Sequence, residues 1–274
     1  MGTTTVGFSR TNEATKEVPD QKSTRSYKDR DLKLLWGLAG ARCSRPQCRR
    51  LLIREATEKD PHAVIGKIAH INDFSPSANS PRSDPSLTVQ ELNAYENLIL
   101  LCADDHDEID KQKGTFPKET LLAWKREHEA WVMSRLEQAM PGIGFAELEV
   151  VCNALLGIPL QPNENFIPTA PAEKMKKNRL SGNLLRKLPL GLSRFTEVEA
   201  FIQSFARTDS QFPERLKAGF VKRYNEYLVR EISGDALFET LHDFASSGSS
   251  NFERQAAGLA VLCYLFQKCE VFEP

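Results

Sequence analysis

The sequence predicts an α+β fold in two parts, a small ββα module pinned by cysteines and then a mostly α-helical domain. Three observations predict it: two cysteines share a tight turn, two short apolar runs typical of strands precede a polar helix, and the later text has helical periodicity. A chain of 274 residues is long enough for two modest domains. We expect a flexible N-terminal segment at 1–30, the ββα module at 31–138 and the helical domain at 139–274.

The composition is typical of an ordinary globular protein, with 41% hydrophobic and 27% charged residues. The net charge of −1 excludes a strongly basic chain, so any contact with nucleic acid must rest on a local patch. The polar start lacks the apolar core of a secretory signal, and no apolar stretch approaches the ~20 residues that span a bilayer. We therefore expect a cytoplasmic protein with no membrane partner. In that compartment, six cysteines indicate metal binding, burial or reactivity rather than a disulfide framework.

Three of these cysteines fall in a pattern typical of a zinc knuckle. Cys43 and Cys48 lie in the turn ARCSRPQCRRL, which follows an apolar helical segment at 31–41. Taken alone, this pair is equally consistent with two unrelated buried cysteines. Cys102 ends an apolar run where a polar helix begins, so it can supply a third ligand. Zn²⁺ takes four tetrahedral ligands in structural sites, and the fourth would be Asp105.

Two histidines end the two arms of the predicted ββα unit. His70 closes a short apolar strand in GKIAHI, and His106 lies on the helix after the second strand. Asp110, four residues after His106, shares its helix face, so this pair can hold one divalent cation. Asn97 precedes the second strand. The alternative interpretations are a hydrogen-bonded strand-end residue for His70 and a turn or cap residue for Asn97.

These motifs together resemble the HNH endonucleases. The branch concerned has a GxxAHI strand, then YxNLILLCxxHHxxID, then a terminal WKxxHE helix, and here the text is GKIAHI, YENLILLCADDHDEID and AWKREHE. The resemblance covers roughly residues 36–131. It implies a ββα-metal (HNH) module that hydrolyses DNA phosphodiester bonds and leaves a 5′ phosphate.

The resemblance also implies a role for each matching residue. His70 would be the general base that takes a proton from the attacking water, and Asn97 would hold the orientation of the loop and of that histidine. His106 would bind the catalytic Mg²⁺ or Mn²⁺, with Asp110 beside it. A structural Zn²⁺ would be held by the cysteines and the acidic residue identified above: Cys43, Cys48, Cys102 and Asp105.

The sequence departs from the family pattern at three positions. Asp105 stands where the family usually has histidine or cysteine, Lys67 stands where it often has an acidic residue, and Ala69 before His70 offers no metal ligand. A second hypothesis is therefore a catalytically degenerate HNH module that binds DNA or acts as a scaffold. A third is a restriction-type nuclease that acts without partners.

Polar text at 72–95 separates the strands and ends in a Thr88 to Glu91 capping-box pattern. One arginine of this loop and four around the knuckle are equally consistent with phosphate contacts and with solvated surface charge: Arg82, Arg42, Arg45, Arg49 and Arg50.

Helices dominate the predicted domain after a hinge at 140–144. We expect a short helix at 145–156, Pro-rich loop-like text at 158–194, and helices at 196–207, 213–232, 235–245 and 252–272. Six basic residues between 174 and 187 are consistent with solvated surface, with DNA contact or with an acidic partner. The last helix is apolar nearly all round, so it is either the centre of a bundle or a docking surface for another protein.

This tail also resembles the C-terminal module of effectors in bacterial ABC three-component anti-phage systems, the group that includes Lamassu. The matching text is FPERLKAGFVKRYNEYLVRE, SGDALFETLHDFA and AVLCYLFQKCEVFE. The resemblance implies antiviral defence, in which an SMC-like ABC ATPase and a small middle component restrain the nuclease until invading DNA is sensed. Self-association into a homo-oligomer would be one route to activation.

Overall fold

The fold is mostly helical with two small antiparallel sheets, in a computed structural model that describes residues 25–74, 80–155, 171–268 and 272. The strands are β1 (Ile53–Arg54), β2 (Ala63–Val64), β3 (Lys67–His70) and β4 (Leu98–Leu101). The helices are α1 (Asp29–Leu38), α2 (Val89–Leu92), α3 (Ala103–Lys111), α4 (Lys118–Ala139), α5 (Phe145–Leu155), α6 (Pro171–Lys177), α7 (Lys187–Leu192), α8 (Phe195–Ala206), α9 (Phe212–Val229), α10 (Gly234–Ala245) and α11 (Phe252–Gln267). Most of the expected N-terminal segment, residues 1–24, lies outside the described residues.

The predicted order of strand, strand and helix is present. Strand β3 pairs with β4 in antiparallel register, with His70 opposite Leu98 and Lys67 opposite Leu101. All four residues of β4 are buried, because α1 packs against the strand and α3 follows it directly. The loop between the strands ends in α2, where the capping box between Thr88 and Glu91 is formed as predicted. Residues 75–79 of that loop lie outside the described part of the chain.

Helix α4 closes the module, and two residues of its AWKREHE text fix the backbone below it. Lys125 donates to the carbonyls of Tyr95 and Leu98, at 3.0 and 2.9 Å. His128 is fully buried and lies 2.9 Å from the carbonyl oxygen of Ala39 through Nε2. His128 therefore has a packing role in this helix, and Lys125 has a structural role as well.

Helix α11 is the centre of the helical part. Of the two interpretations of this helix, bundle centre or docking surface, the structure therefore has the first. Its residues from Ala256 to Phe266 are all buried, and it packs against α4, α5, α7, α8 and α10. Helix α10 in turn packs along α1, so one hydrophobic core runs through both predicted domains. The contact is close at Gly37, where an added Cβ would lie 2.9 Å from the Cβ of Glu239.

The expectation of loop-like text at 158–194 is wrong for its described part, 171–194, which contains α6 and α7. Pro189 had indicated a loop, but proline is tolerated in the first turn of a helix, where no intrahelical N–H bond is lost. Helix α7 forms because Leu188 is buried and Gly191 lets the backbone approach Leu259 and Cys263 of α11. The basic run is not all solvated either, since Lys174 and Lys187 are buried.

The later helices match their predicted ranges to within five residues at each end. The largest difference is the end of α11, which stops at Gln267 instead of 272. Cys152 and Cys263 are buried free thiols, and Cys269 lies outside the described residues. Within the described ranges, no helix combines the length and apolar character needed to cross a membrane.

Candidate metal and active site

Three thiols and one carboxylate meet at the start of α3. Cys43 and Cys48 come from the knuckle turn after α1, and Cys102 caps α3 by accepting from the backbone N–H of Asp105. The ligand atoms of Cys43, Cys48, Cys102 and Asp105 all lie within 4.8 Å of one another. The structure therefore brings together the four residues predicted to form the knuckle, and this group can hold a metal ion.

The distances within this cluster fit a tetrahedral ion such as Zn²⁺. The sulfurs of Cys48 and Cys102 are 3.9 Å apart. A tetrahedron with Zn–S bonds of about 2.3 Å has edges of roughly 3.8 Å. The thiols of Cys43 and Cys102 each donate to Oδ2 of Asp105 at 3.1 Å, which places the carboxylate at the fourth corner.

Asp105 is ionised in this setting. Burial opposes its charge, but hydrogen bonds from the three thiols and from Arg45 lower its pKa to about 2. Burial raises the pKa of Cys102 to about 11, so that thiol keeps its proton when no cation is near. Ligation of Zn²⁺ by cysteine requires the thiolate, so metal binding would release protons from this cluster.

Most of the arginines near the knuckle form hydrogen bonds or ion pairs within the protein. Neither the phosphate contacts nor the solvated surface charge considered from the sequence included such pairing. Arg45 binds Asp105 at 2.7 Å and also Glu108. Arg49 contacts His128 and pairs with Glu127 at 3.2 Å. Arg42 donates to the Arg49 carbonyl, and Arg50 pairs with Asp104 in an exposed position. Their main effect is to fix the knuckle against α3 and α4.

His70 lies at the end of β3, and 7% of its surface is exposed. Its Nε2 lies 3.3 Å from Oδ1 of Asn93 and can donate to it, which leaves Nδ1 as the basic nitrogen. Burial lowers the pKa of His70 and Arg25 lowers it further, although the Asn93 bond opposes them. The imidazole is therefore neutral at neutral pH and can accept a proton.

Asn97 fixes the chain that follows His70 rather than touching that histidine. Its Nδ2 donates to the carbonyls of Leu92 and Asn72, at 2.9 and 3.1 Å. Its Oδ1 accepts from the backbone and side-chain nitrogens of Asn72, at 2.7 and 2.8 Å. This is more than a turn or cap contact, because both ends of the side chain are used.

His70, His106 and Asp110 line one small cavity of about 80 Å³ between β3 and α3. Nδ1 of His106 is buried without a hydrogen-bond partner among the described residues, and it lies 3.5 Å from Oδ1 of Asp107 and 3.7 Å from Oδ2 of Asp110. An unpaired imidazole nitrogen beside a carboxylate fits a divalent cation such as Mg²⁺ or Mn²⁺. Arg82 complicates this fit, since it also binds Asp110, at 3.1 Å.

Several residues of this cavity were not singled out from the sequence. Asp73 is buried and binds Arg82 at 3.2 Å and Lys113 at 2.9 Å, and these partners, with Ser80, lower its pKa despite burial. Asn93 is the direct partner of His70. The sequence offered one signal for these residues. Asn72 and Asp73 follow GKIAHI directly, and polar residues at a strand end commonly face a functional site. No local feature of the sequence indicated Asn93.

Helix α3 therefore serves two sites at once. Asp105 turns toward the cysteines, whereas His106 and Asp110 turn toward β3 and the cavity.

Comparisons with family models, with curated proteins and with solved structures returned no match to this chain.

Proposed function

We propose that this protein is a metal-dependent endonuclease of the HNH type that hydrolyses DNA phosphodiester bonds. The observation that supports it most is the single cavity lined by His70, His106 and Asp110, on a strand, strand and helix unit. A neutral histidine and an unpaired metal-ligating nitrogen facing one cavity are the two groups that metal-assisted hydrolysis needs.

Each residue has a role in this proposal that its surroundings support. His70 accepts the proton of the attacking water, because burial and Arg25 keep its imidazole neutral. Asn97 orders the chain after His70 through its bonds to Asn72 and Leu92. His106 and Asp110 would hold the Mg²⁺ or Mn²⁺ ion. When bound, the ion stabilises the extra negative charge on the phosphate and on the leaving oxygen.

The cysteine cluster has a separate, structural role in the proposal. Zn²⁺ held by Cys43, Cys48, Cys102 and Asp105 would join the knuckle to the first turn of α3. That turn carries His106, so the zinc site would fix the position of the catalytic metal ligand. A closed site with four protein ligands is typical of structural zinc, whereas a catalytic ion keeps open positions.

The wider biological part of the proposal rests on the sequence resemblances alone. The protein would act in the cytoplasm on DNA, as an effector of antiviral defence of the Lamassu type. An SMC-like ABC ATPase and a small middle component would restrain it through the helical tail, and self-association would be a further means of control. A restriction-type nuclease that acts alone is the alternative within the same chemistry, and cleavage at defined sites by purified protein without partners would favour it.

A second candidate function is a degenerate module that only binds DNA or acts as a scaffold. Two ion pairs favour it. Arg82 is fully buried and holds Asp110, which reduces the charge that this carboxylate offers to a cation. Lys67 on β3 pairs with Asp107 of α3 at 3.1 Å, where the family often has an acidic residue.

Plasmid cleavage by purified protein tests the proposal. We expect nicking with Mg²⁺ or Mn²⁺ that EDTA abolishes, and a loss of roughly 10²–10⁴-fold in His70→Ala, the usual contribution of a general base. His62→Ala is the matched control, because His62 is exposed and bonds only to the backbone N–H of Ala56 among the described residues.

The outcomes separate the candidates. Cleavage that needs both the metal and His70 supports the nuclease. Undiminished cleavage by His70→Ala contradicts the assignment of the base. If the protein binds DNA but does not cleave it, alone or co-expressed with its neighbouring genes, the degenerate module is the correct description.

A further inference from the structure

A second cavity, of about 320 Å³, lies where the two predicted domains meet. Helix α1, the β1–β2 pair and α4 form one side, and α10 with the start of α11 forms the other. Small-molecule sites in proteins begin at about 300 Å³. None of the residues assigned above to the nuclease lines this cavity, so it is a separate site.

One wall of this interdomain cavity is apolar. It is made by Trp36 of α1 and by Val132 and Leu136 of α4, with Ile53 and Val64 at the edge. Trp36 is only half-buried, so its ring contributes to the accessible lining. An aromatic ring beside two branched aliphatic side chains favours a large apolar group of a ligand.

The opposite wall is polar, and most of its groups already have partners. Lys187 binds Glu239 through both carboxylate oxygens, at 2.7 and 2.6 Å. His242 lies 2.7 Å from the carbonyl oxygen of Gln255 through Nε2. Thr240 and Ser246 donate to helix carbonyls, at 2.7 and 2.8 Å. These groups shape the cavity but have little left to offer a ligand.

Two charged side chains in the lining remain, one of each sign. The side chains of Asp243 and Lys33 make no hydrogen bond or ion pair among the described residues. Asp243 is exposed, yet the surrounding protein raises the pKa of its carboxyl group and Lys33 only partly opposes this. The carboxyl group is therefore open to a hydrogen-bonded partner inside the cavity.

We propose that this cavity binds a small zwitterionic ligand of the amino-acid class with a large apolar side chain. The ligand's ammonium group binds Asp243, its carboxylate binds Lys33, and its side chain packs on Trp36, Val132 and Leu136. A ligand with only one charge leaves Lys33 or Asp243 without a partner. Because α1 and α10 supply opposite walls, the ligand also holds the two domains together. This inference is independent of the proposed nuclease activity.

Isothermal titration of the full chain with L-tryptophan tests the proposal, with L-phenylalanine as a second amino acid. The matched probes are tryptamine, which lacks the carboxylate, and indole-3-propionate, which lacks the ammonium group. We expect saturable binding of L-tryptophan and a higher unfolding temperature in its presence, because a ligand that binds only the folded state stabilises it. Each matched probe should bind about tenfold more weakly, the loss of one charged contact.

Two variants assign the contacts. Asp243→Asn should weaken L-tryptophan about tenfold and leave indole-3-propionate unchanged, whereas Lys33→Gln should weaken L-tryptophan and leave tryptamine unchanged. Lys28→Gln, an exposed lysine just before α1, is the control. The absence of saturable binding of either amino acid at millimolar concentration overturns the proposal, as does wild-type affinity in both variants. If a variant does not fold, the probe series on the wild-type protein still decides.

Discussion

The two faces of α3 carry sites of opposite character. On one face, Cys102 and Asp105 complete a cluster whose fourth corner is filled by protein, and Asp105 is buried. On the other face, His106 and Asp110 border a cavity, and Nδ1 of His106 has no hydrogen-bond partner among the described residues. A closed site suits a structural metal and an open one suits a catalytic metal.

In the proposed function, this difference would let one short helix hold two different metals with little exchange between them. The closed face offers soft sulfur ligands that select zinc, whereas the open face offers imidazole and carboxylate ligands that also suit Mg²⁺ or Mn²⁺. Since the two faces share a backbone, loss of the closed site should disturb the open one. The reverse should not hold, because the cavity residues do not support the cysteines.

Removal of a cysteine from the closed face should have the largest effect. We expect Cys43→Ala to lose stoichiometric zinc and several kcal/mol of stability, because a structural zinc site contributes directly to folding. Elemental analysis and thermal unfolding measure both. Cys152→Ala is the control, since Cys152 is a fully buried thiol of α5 outside the cluster. Equal zinc content in the two variants would contradict zinc binding by the cysteine cluster.

His128 should make the closed face sensitive to acid. Burial lowers the pKa of His128 from 6.5 to about 4, with Arg49 and Arg42 acting in the same direction. The unfolded chain takes up the proton first, so stability is complete above pH 6.5 and is lost as the pH falls toward 4. The loss is at most about 3 kcal/mol.

Urea unfolding across this pH range, compared with His128→Gln, measures the effect. Glutamine can still donate to the Ala39 carbonyl but does not titrate, so the variant should lose less stability between pH 6.5 and 4. Parallel curves for the two proteins would show that His128 is not the acid-sensitive group.

Asn97 should be the main structural residue of the open face. Asn97→Ala leaves the carbonyl of Leu92 and two backbone groups of Asn72 without side-chain partners, so we expect a loss of about 2–3 kcal/mol. Asn72→Ala removes only the side-chain hydrogen bond between Asn72 and Asn97 and should cost about 1 kcal/mol. Denaturant unfolding compares them, and an equal cost for both variants would contradict the central position given to Asn97.

Asn93 should have the smallest effect, on catalysis rather than on stability. Its bond to His70 raises the pKa of that histidine, so Asn93→Ala should lower it and move the acid limb of the cleavage profile to lower pH. Cleavage rates between pH 5 and 8 measure this, with Asn72→Ala as the control. An unchanged acid limb in Asn93→Ala would remove His70 as the titrating group.

Much of the site could be predicted because its residues lie in compact motifs. Cys102, Asp105, His106 and Asp110 fall within nine residues of one strand and helix, so local periodicity places them correctly. The knuckle turn could be recognised for the same reason. The catalytic and metal-binding roles given to these residues stay predictions.

The features that the sequence did not predict depend on contacts between distant segments, which periodicity does not encode. Arg45 meets Asp105 and Glu108 across about sixty residues, and Asn93 contacts His70 from 23 residues further along the chain. Surface and interior arginines have the same local signature, so the sequence did not reveal that Arg45 and Arg82 form ion pairs within the protein. Helix α7 was missed because its burial against α11, not its propensity, stabilises it.

The most direct test of two metals on one helix is to dialyse the protein against EDTA, measure the retained zinc, and then assay plasmid cleavage before and after Mg²⁺ or Mn²⁺ is returned. We predict that zinc stays bound, that cleavage is lost and then restored by the hard cation, and that His70→Ala keeps its zinc but does not cleave. Cleavage that survives EDTA, or that only added zinc restores, would contradict the division of α3 into a closed structural face and an open catalytic face.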